Sequence, residues 1–97
     1  MLTYNTLSTH TKVAIASALS TLALAMNGRR IYASIQNNGG VSMWLGMGVA
    51  AVVGEGFEVA PGGYYEWDMA TNPFVGPLYA IMASGDPVDQ PIQEAQI

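Results

Sequence analysis

The chain has 97 residues, 51% of them hydrophobic and 10% charged, with three Lys and Arg against seven Asp and Glu and a formal net charge of −4. Soluble domains average roughly 25% charged residues; a chain this poor in charge and with 9% aromatics is not intrinsically disordered, and three cations cannot build a phosphate-binding face. At roughly 100–200 residues per domain, residues 1–97 form a single domain, and the absence of cysteine removes disulfides and Cys-based zinc sites, leaving oligomerisation as a standard source of stability.

Residues 1–9 read as an N-terminal arm. Val13 to Ala25, with Lys12 before it and Ala23-Leu24-Ala25 at its end, loosely matches a secretory signal, but Ser17, Ser20 and Thr21 interrupt it. It is also too short to span a bilayer as a helix, so no membrane partner is expected. Val13 and Ile15, then Leu22 and Leu24, alternate with small residues and predict two half-buried strands; a helix over Ala14 to Met26 stays open, because alanine and leucine favour it. Asn27-Gly28 supplies a hairpin turn, and in the strand that follows, Arg29 to Gln36, Ile31, Ala33 and Ile35 share one face. Asn37-Asn38-Gly39-Gly40 is a second turn, and Val41 to Leu45 a strand ending at Gly46. Short apolar runs lie at Val49 to Val53 and Phe57 to Ala60. Pro61-Gly62-Gly63 then turns the chain into a strand over Tyr64 to Asp68, and a Pro- and Gly-framed loop leads to Leu78 to Ala83. Residues 85–97 contain Pro87 and Pro91, which predict an arm or an edge strand. Short strands at this spacing predict an all-β fold, an antiparallel β-sandwich or small β-barrel, jelly-roll-like, with extended termini.

The chemistry-bearing residues are sparse. Gly46-Met47-Gly48 loosely fits a dinucleotide motif, but Gly54, Gly56 and Pro61 leave no room for the helix it requires; the glycines are read as places of backbone bending or close approach. His10 is the only histidine and no serine sits in a nucleophile elbow, so no catalytic set is assigned. Glu66 and Asp68 share a strand face and could bind calcium or act as acid and base, yet hard cations take roughly six or more oxygens, which favours a solvated or ion-paired face. Neither a cofactor nor a metal is expected. Trp44, Tyr64, Tyr65 and Trp67 could form a stacking platform for sugars, but Tyr65 and Trp67 face opposite to Tyr64 and Glu66, so core or interface use is the stronger reading. All cations (Lys12, Arg29, Arg30) precede residue 31 and all acids follow residue 54. Arg29 and Arg30 are therefore expected to pair with acids such as Glu66 or Asp68, within a subunit or between two.

The ordered pieces Arg29-Arg30-Ile31, Ile35-Gln36-Asn37-Asn38-Gly39, Trp44-Leu45-Gly46, Val59 to Glu66 and Gly76-Pro77-Leu78-Tyr79-Ala80 resemble small virion proteins of tailed bacteriophages, above all capsid decoration or cement domains and head-fibre bases. The resemblance covers Arg29 to Ser84 and rests on the order of the pieces. It implies a non-enzymatic virion protein on the outer capsid surface, a homotrimer bound to the major capsid protein without contacting nucleic acid. Arg29, Arg30, Trp44, Tyr65, Glu66, Trp67 and Asp68 are its expected interface residues. A carbohydrate-binding module for host adsorption is the alternative.

Overall fold

The computed structural model describes residues 7–97, and the first six residues of the expected arm lie outside them. Eight strands follow in chain order: β1 (Leu7–Ile15), β2 (Thr21–Leu24), β3 (Arg30–Gln36), β4 (Met43–Met47), β5 (Phe57–Val59), β6 (Tyr64–Asp68), β7 (Leu78–Met82) and β8 (Val88–Gln96). No helix occurs among the described residues, so the Ala14 to Met26 segment takes the two-strand alternative.

The strands form two antiparallel four-stranded sheets in the orders β1-β8-β3-β6 and β2-β7-β4-β5. The first strand pairs with the last, the second with the seventh, the third with the sixth and the fourth with the fifth. This is a long antiparallel ribbon folded across itself, closed by the β3–β8 and β4–β7 pairings. Two sheets of four strands in this order make a jelly-roll sandwich, and the small-barrel alternative is not what forms.

The core lies between the sheets. Ile15, Ala33, Ile35, Trp67 and Ile92 from the first sheet meet Ala23, Met43, Leu45, Val59, Leu78, Ala80 and Met82 from the second. Period-two alternation explains most of this pattern, and two irregularities explain the exceptions. The β2–β7 register slips after Leu22, so Leu22, opposite Tyr79, stays exposed at 47% while Ala23 is buried and Leu24 is turned opposite Leu78 and packs on the core. A second slip between Arg30 and Tyr32 sets Arg30 opposite Gln96, on the inward-facing side of β8. A one-residue bulge reverses which side chains face inward.

The last strand departs from its expectation. Val88–Gln96 is an interior strand between β1 and β3 and not an arm or an edge. Ile97 donates its N–H to Arg29 on the β3 side, and alternation along β8 then points the ring nitrogen of Pro91 the same way. The β3–β8 pairing stops at Ile35 opposite Ile92, one residue short of Pro91. The missing donor therefore falls where no ladder bond is needed, and an interior strand tolerates the proline.

A buried polar knot closes the sandwich at that end. Asn37 is fully buried; its amide donates to the carbonyls of Val41 and Val59, and its Oδ1 accepts from Gly39 N–H and from Gln90 Nε2, all at 2.8–2.9 Å. Gln90 in turn accepts from Asn38 N–H at 2.7 Å. The knot ties β8 and β5 to the β3–β4 turn without using a charge. Gln90→Leu keeps the volume but leaves the Asn38 N–H without its acceptor and takes one of two donors from Asn37 Oδ1, so it is expected to cost about 1–2 kcal/mol in urea unfolding.

Of the glycines of the dinucleotide-like motif, Gly46 is a point of close approach and Gly48 a bend of the backbone. A Cβ on Gly46 would lie 2.3 Å from the Val49 carbonyl oxygen, so the turn after β4 folds back over the strand there. Gly48 takes φ +77°, and the Val49 to Val53 run forms this turn and its continuation instead of a strand.

Candidate functional site

Arg29 to Asp68 and the C-terminal strand bring the expected interface residues into three different places. Arg30 is 4% exposed and lies inside the sandwich end. Its Nε donates to Glu94 Oε2 at 2.6 Å, its Nη1 to the carbonyls of Phe74 and Gly76 at 3.1 and 3.0 Å, and its Nη2 to the Ala25 carbonyl at 2.7 Å. The planar guanidinium thus ties the chain before β3, the chain before β7 and β8 together, a fork geometry that lysine lacks. The expected pairing with Glu66 or Asp68 is corrected: Arg30 is turned inward by its bulge and meets Glu94, an inward-facing residue of β8. Arg29 is exposed, and the Arg30–Glu94 pair is the one ion pair among the described residues.

Glu66 and Asp68 project from the outer face of β6. The Tyr32 hydroxyl donates to Glu66 Oε2 at 2.8 Å, and this bond to the carboxylate, with some burial, pushes the phenol above its usual value. Asp68 caps the following turn. It accepts from the N–H groups of Ala70 and Thr71 and from the Thr71 hydroxyl, each at 2.8 Å. The two Thr71 bonds, helped by Ala70, hold its carboxyl below the ordinary value of 3.8. Because the folded value is depressed, the stabilisation is present above the unfolded value and is lost as pH falls through the folded one. Asp68→Asn is expected to lower the melting temperature near neutrality, where the carboxylate's stabilisation is fully present, and to flatten the acid limb below about pH 4, so that variant and wild type converge as the wild-type carboxyl is protonated.

The aromatic residues do not share a face. Trp67 is 2% exposed in the core, with Tyr65 packed against it, rings tilted, at 4.8 Å between ring centroids and Phe74 at 6.1 Å. Tyr65 is half-buried and also meets Phe57 of the opposite sheet at 4.9 Å. Tyr64 points outward from the first sheet, while Trp44 sits half-buried on β4 of the second, opposite Ile81 and Glu58. The four side chains therefore form no common stacking platform.

Two surfaces remain. The first is the polar outer face of the first sheet, where His10, Gln93, Ser34 and Glu66 stand side by side across all four strands. An open cleft of about 330 Å³ runs over it between His10, Lys12, Ser34, Gln36, Pro91 and Gln93. The strand alternation of β1, β3 and β8 encodes this row, but reading it needed the strand order, which sequence alone does not provide. The second is apolar. The Ala51 N–H bonds the Ser20 hydroxyl at 2.8 Å, joining the β1–β2 connection to the turn folded over Gly46. Leu19, Leu22, Val49, Val52 and Val53 are exposed by 44–72% along this seam. No charged residue lies in either contributing segment, residues 13–28 or 31–54. Among the described residues no group of three or more His, Asp and Glu side chains is placed to hold a metal ion.

No protein-family model matches the chain, and no curated protein matches it.

Proposed function

We propose that the chain is a structural virion protein that binds the outer surface of a tailed-bacteriophage capsid, against its major capsid protein, as a decoration or cement protein. The observation that carries this reading is the uncharged apolar seam of Leu19, Leu22, Val49, Val52 and Val53. Exposed apolar surface gathered in one place marks a protein-contact site in a soluble domain. The two-sheet jelly roll is an architecture used by viral capsid and lectin domains, which adds support by analogy of fold alone. The ordered resemblance of Arg29 to Ser84 points the same way.

The test is co-sedimentation with capsids assembled without this protein. Wild-type protein is expected to bind them and raise their resistance to heat, while Leu22→Glu with Val49→Glu loses binding and keeps its β-sheet circular dichroism. Binding that survives the double substitution overturns the use of this seam, and wild-type protein that never binds a capsid overturns the reading. The carbohydrate-binding alternative lacks the aromatic platform that motivated it, because Trp67 is in the core and Trp44 on the other sheet. The homotrimer implied by the resemblance needs a three-fold contact between copies.

A further inference from the structure

The four sheet edges are not equally protected. β5 has three residues, and β2 has four with a bulge. On β6 the outward carbonyl of Glu66 is covered by Asn72, whose Nδ2 donates to it at 3.3 Å. β1 runs for nine residues, pairs with β8 along its whole length without a register shift, and among the described residues has no strand on its other side. A long unprotected edge is a template for another strand.

The direction of each β1 amide follows from the ladder. Ile97 N–H points to β3, so by alternation the backbone groups of Gln96, Glu94, Ile92 and Gln90 point to β1. Their partners are Leu7, Thr9, Thr11 and Val13. The backbone N–H and C=O groups of Ser8, His10, Lys12 and Ala14 therefore face the open edge. The sequence there reads Ser8-Thr9-His10-Thr11-Lys12, with Thr-His-Thr the same in both directions.

We infer that β1 pairs antiparallel with β1 of a second copy about a two-fold axis at His10, joining the two first sheets into one eight-stranded sheet. In this register His10 faces the partner's His10 as a doubly hydrogen-bonded pair. Thr9 faces the partner's Thr11, a favourable cross-strand pair. Lys12 faces the partner's Ser8, and the two lysines are four residues apart along the strand, about 13 Å, beyond the ~8–10 Å screening length. The single charge that would guard this edge is thereby accommodated. A two-fold axis normal to the sheet also keeps both polar faces on one side, so the rows from His10 to Glu66 become continuous. This inference does not rest on capsid binding, since it concerns the free protein.

Sedimentation velocity over a concentration series, combined with amide hydrogen exchange, tests it. A concentration-dependent dimer is expected, because one edge contact lies at the small end of interface size. Amides of Thr9, Thr11 and Val13 are expected to be protected even in dilute monomer, while those of Ser8, His10 and Lys12 gain protection as the dimer forms. His10→Lys and His10→Glu place like charges directly opposite one another, and each is expected to raise the dimer dissociation constant by about fivefold or more. Mixing the two variants is expected to restore a heterodimer, because only a two-fold axis at this residue sets position 10 against itself. His10→Pro removes one edge-facing donor per copy while leaving the β1–β8 ladder its bonds, with an expected weakening of about tenfold or more. A wild-type monomer at all concentrations, a trimeric mass, a dimer without new protection at Ser8, His10 and Lys12, or a charge-variant mixture that stays monomeric overturns the inference.

Discussion

Replacing Arg30 by alanine is expected to destabilise the domain by about 3–5 kcal/mol, the cost of breaking a buried ion pair by removing one partner. The loss has several sources. Glu94 keeps its charge, with its side chain 19% exposed and no partner. The carbonyls of Ala25, Phe74 and Gly76 lose their donors at the same time, and an unsatisfied buried acceptor costs about 1–3 kcal/mol. Arg30→Lys is expected to recover little, since one ammonium cannot satisfy acceptors held on several sides by a planar fork. Glu94→Gln is the milder change, because Arg30 keeps its three carbonyls. Urea unfolding monitored by circular dichroism ranks the variants: Glu94→Gln above Arg30→Lys, with Arg30→Ala lowest. A loss below about 1 kcal/mol for Arg30→Ala is what a surface pair would give, and that outcome would sink the assignment of Arg30 as the clasp of this end of the sandwich.

That clasp shows where sequence reading stops. Local patterns carried β6 to its boundaries at Tyr64 and Asp68, and they identified the Asn37 to Gly40 turn and the sharing of one face by Ala33 and Ile35. These follow from turn chemistry and the period of two, which are properties of neighbouring residues. Arg30 reads locally as a partner for the outward acids Glu66 and Asp68, because nothing local announces a bulge at Ile31. One inserted residue moves the guanidinium from the solvent side to the inward side, and its partner Glu94 lies 64 residues away. The same holds for Leu24, turned onto the core by the slip at Ala23 while Leu22 stays exposed. Pro91 misled for a related reason: proline forbids a ladder bond on one side of a strand, and which side needs that bond is set by where the partner strand ends. The outer polar row was illegible because it joins residues 10, 93, 34 and 66, and only the folded-ribbon order of strands makes them neighbours. The charge split was real in the sequence, yet its two halves meet inside the molecule through Glu94 and not across its surface.

Trp67→Ala is expected to cost about 3–5 kcal/mol, the usual range for deleting a buried large aromatic, and this separates a core tryptophan from a ligand-stacking one. A binding-face tryptophan can be truncated with the fold intact. Trp67 cannot, since it is 2% exposed and fills the space between Tyr65 and Phe74. Its removal opens a cavity that the two rings close only by leaving their own contacts. Trp67→Phe isolates the two components of the cost. The indole Nε1 is buried without a hydrogen-bond partner among the described residues, so phenylalanine removes an unpaired donor as well as volume. The gain from the first offsets part of the loss from the second. Trp67→Phe is therefore expected to lie much closer to wild type than Trp67→Ala in both melting temperature and urea midpoint. Trp44→Ala, at a half-buried position on the opposite outer face, is expected to fall between them. If Trp67→Ala kept wild-type stability while abolishing binding to an immobilised glycan, the tryptophan would belong to a binding face, and the sandwich core would have to be held by Ile35, Leu45, Leu78 and Met82 alone.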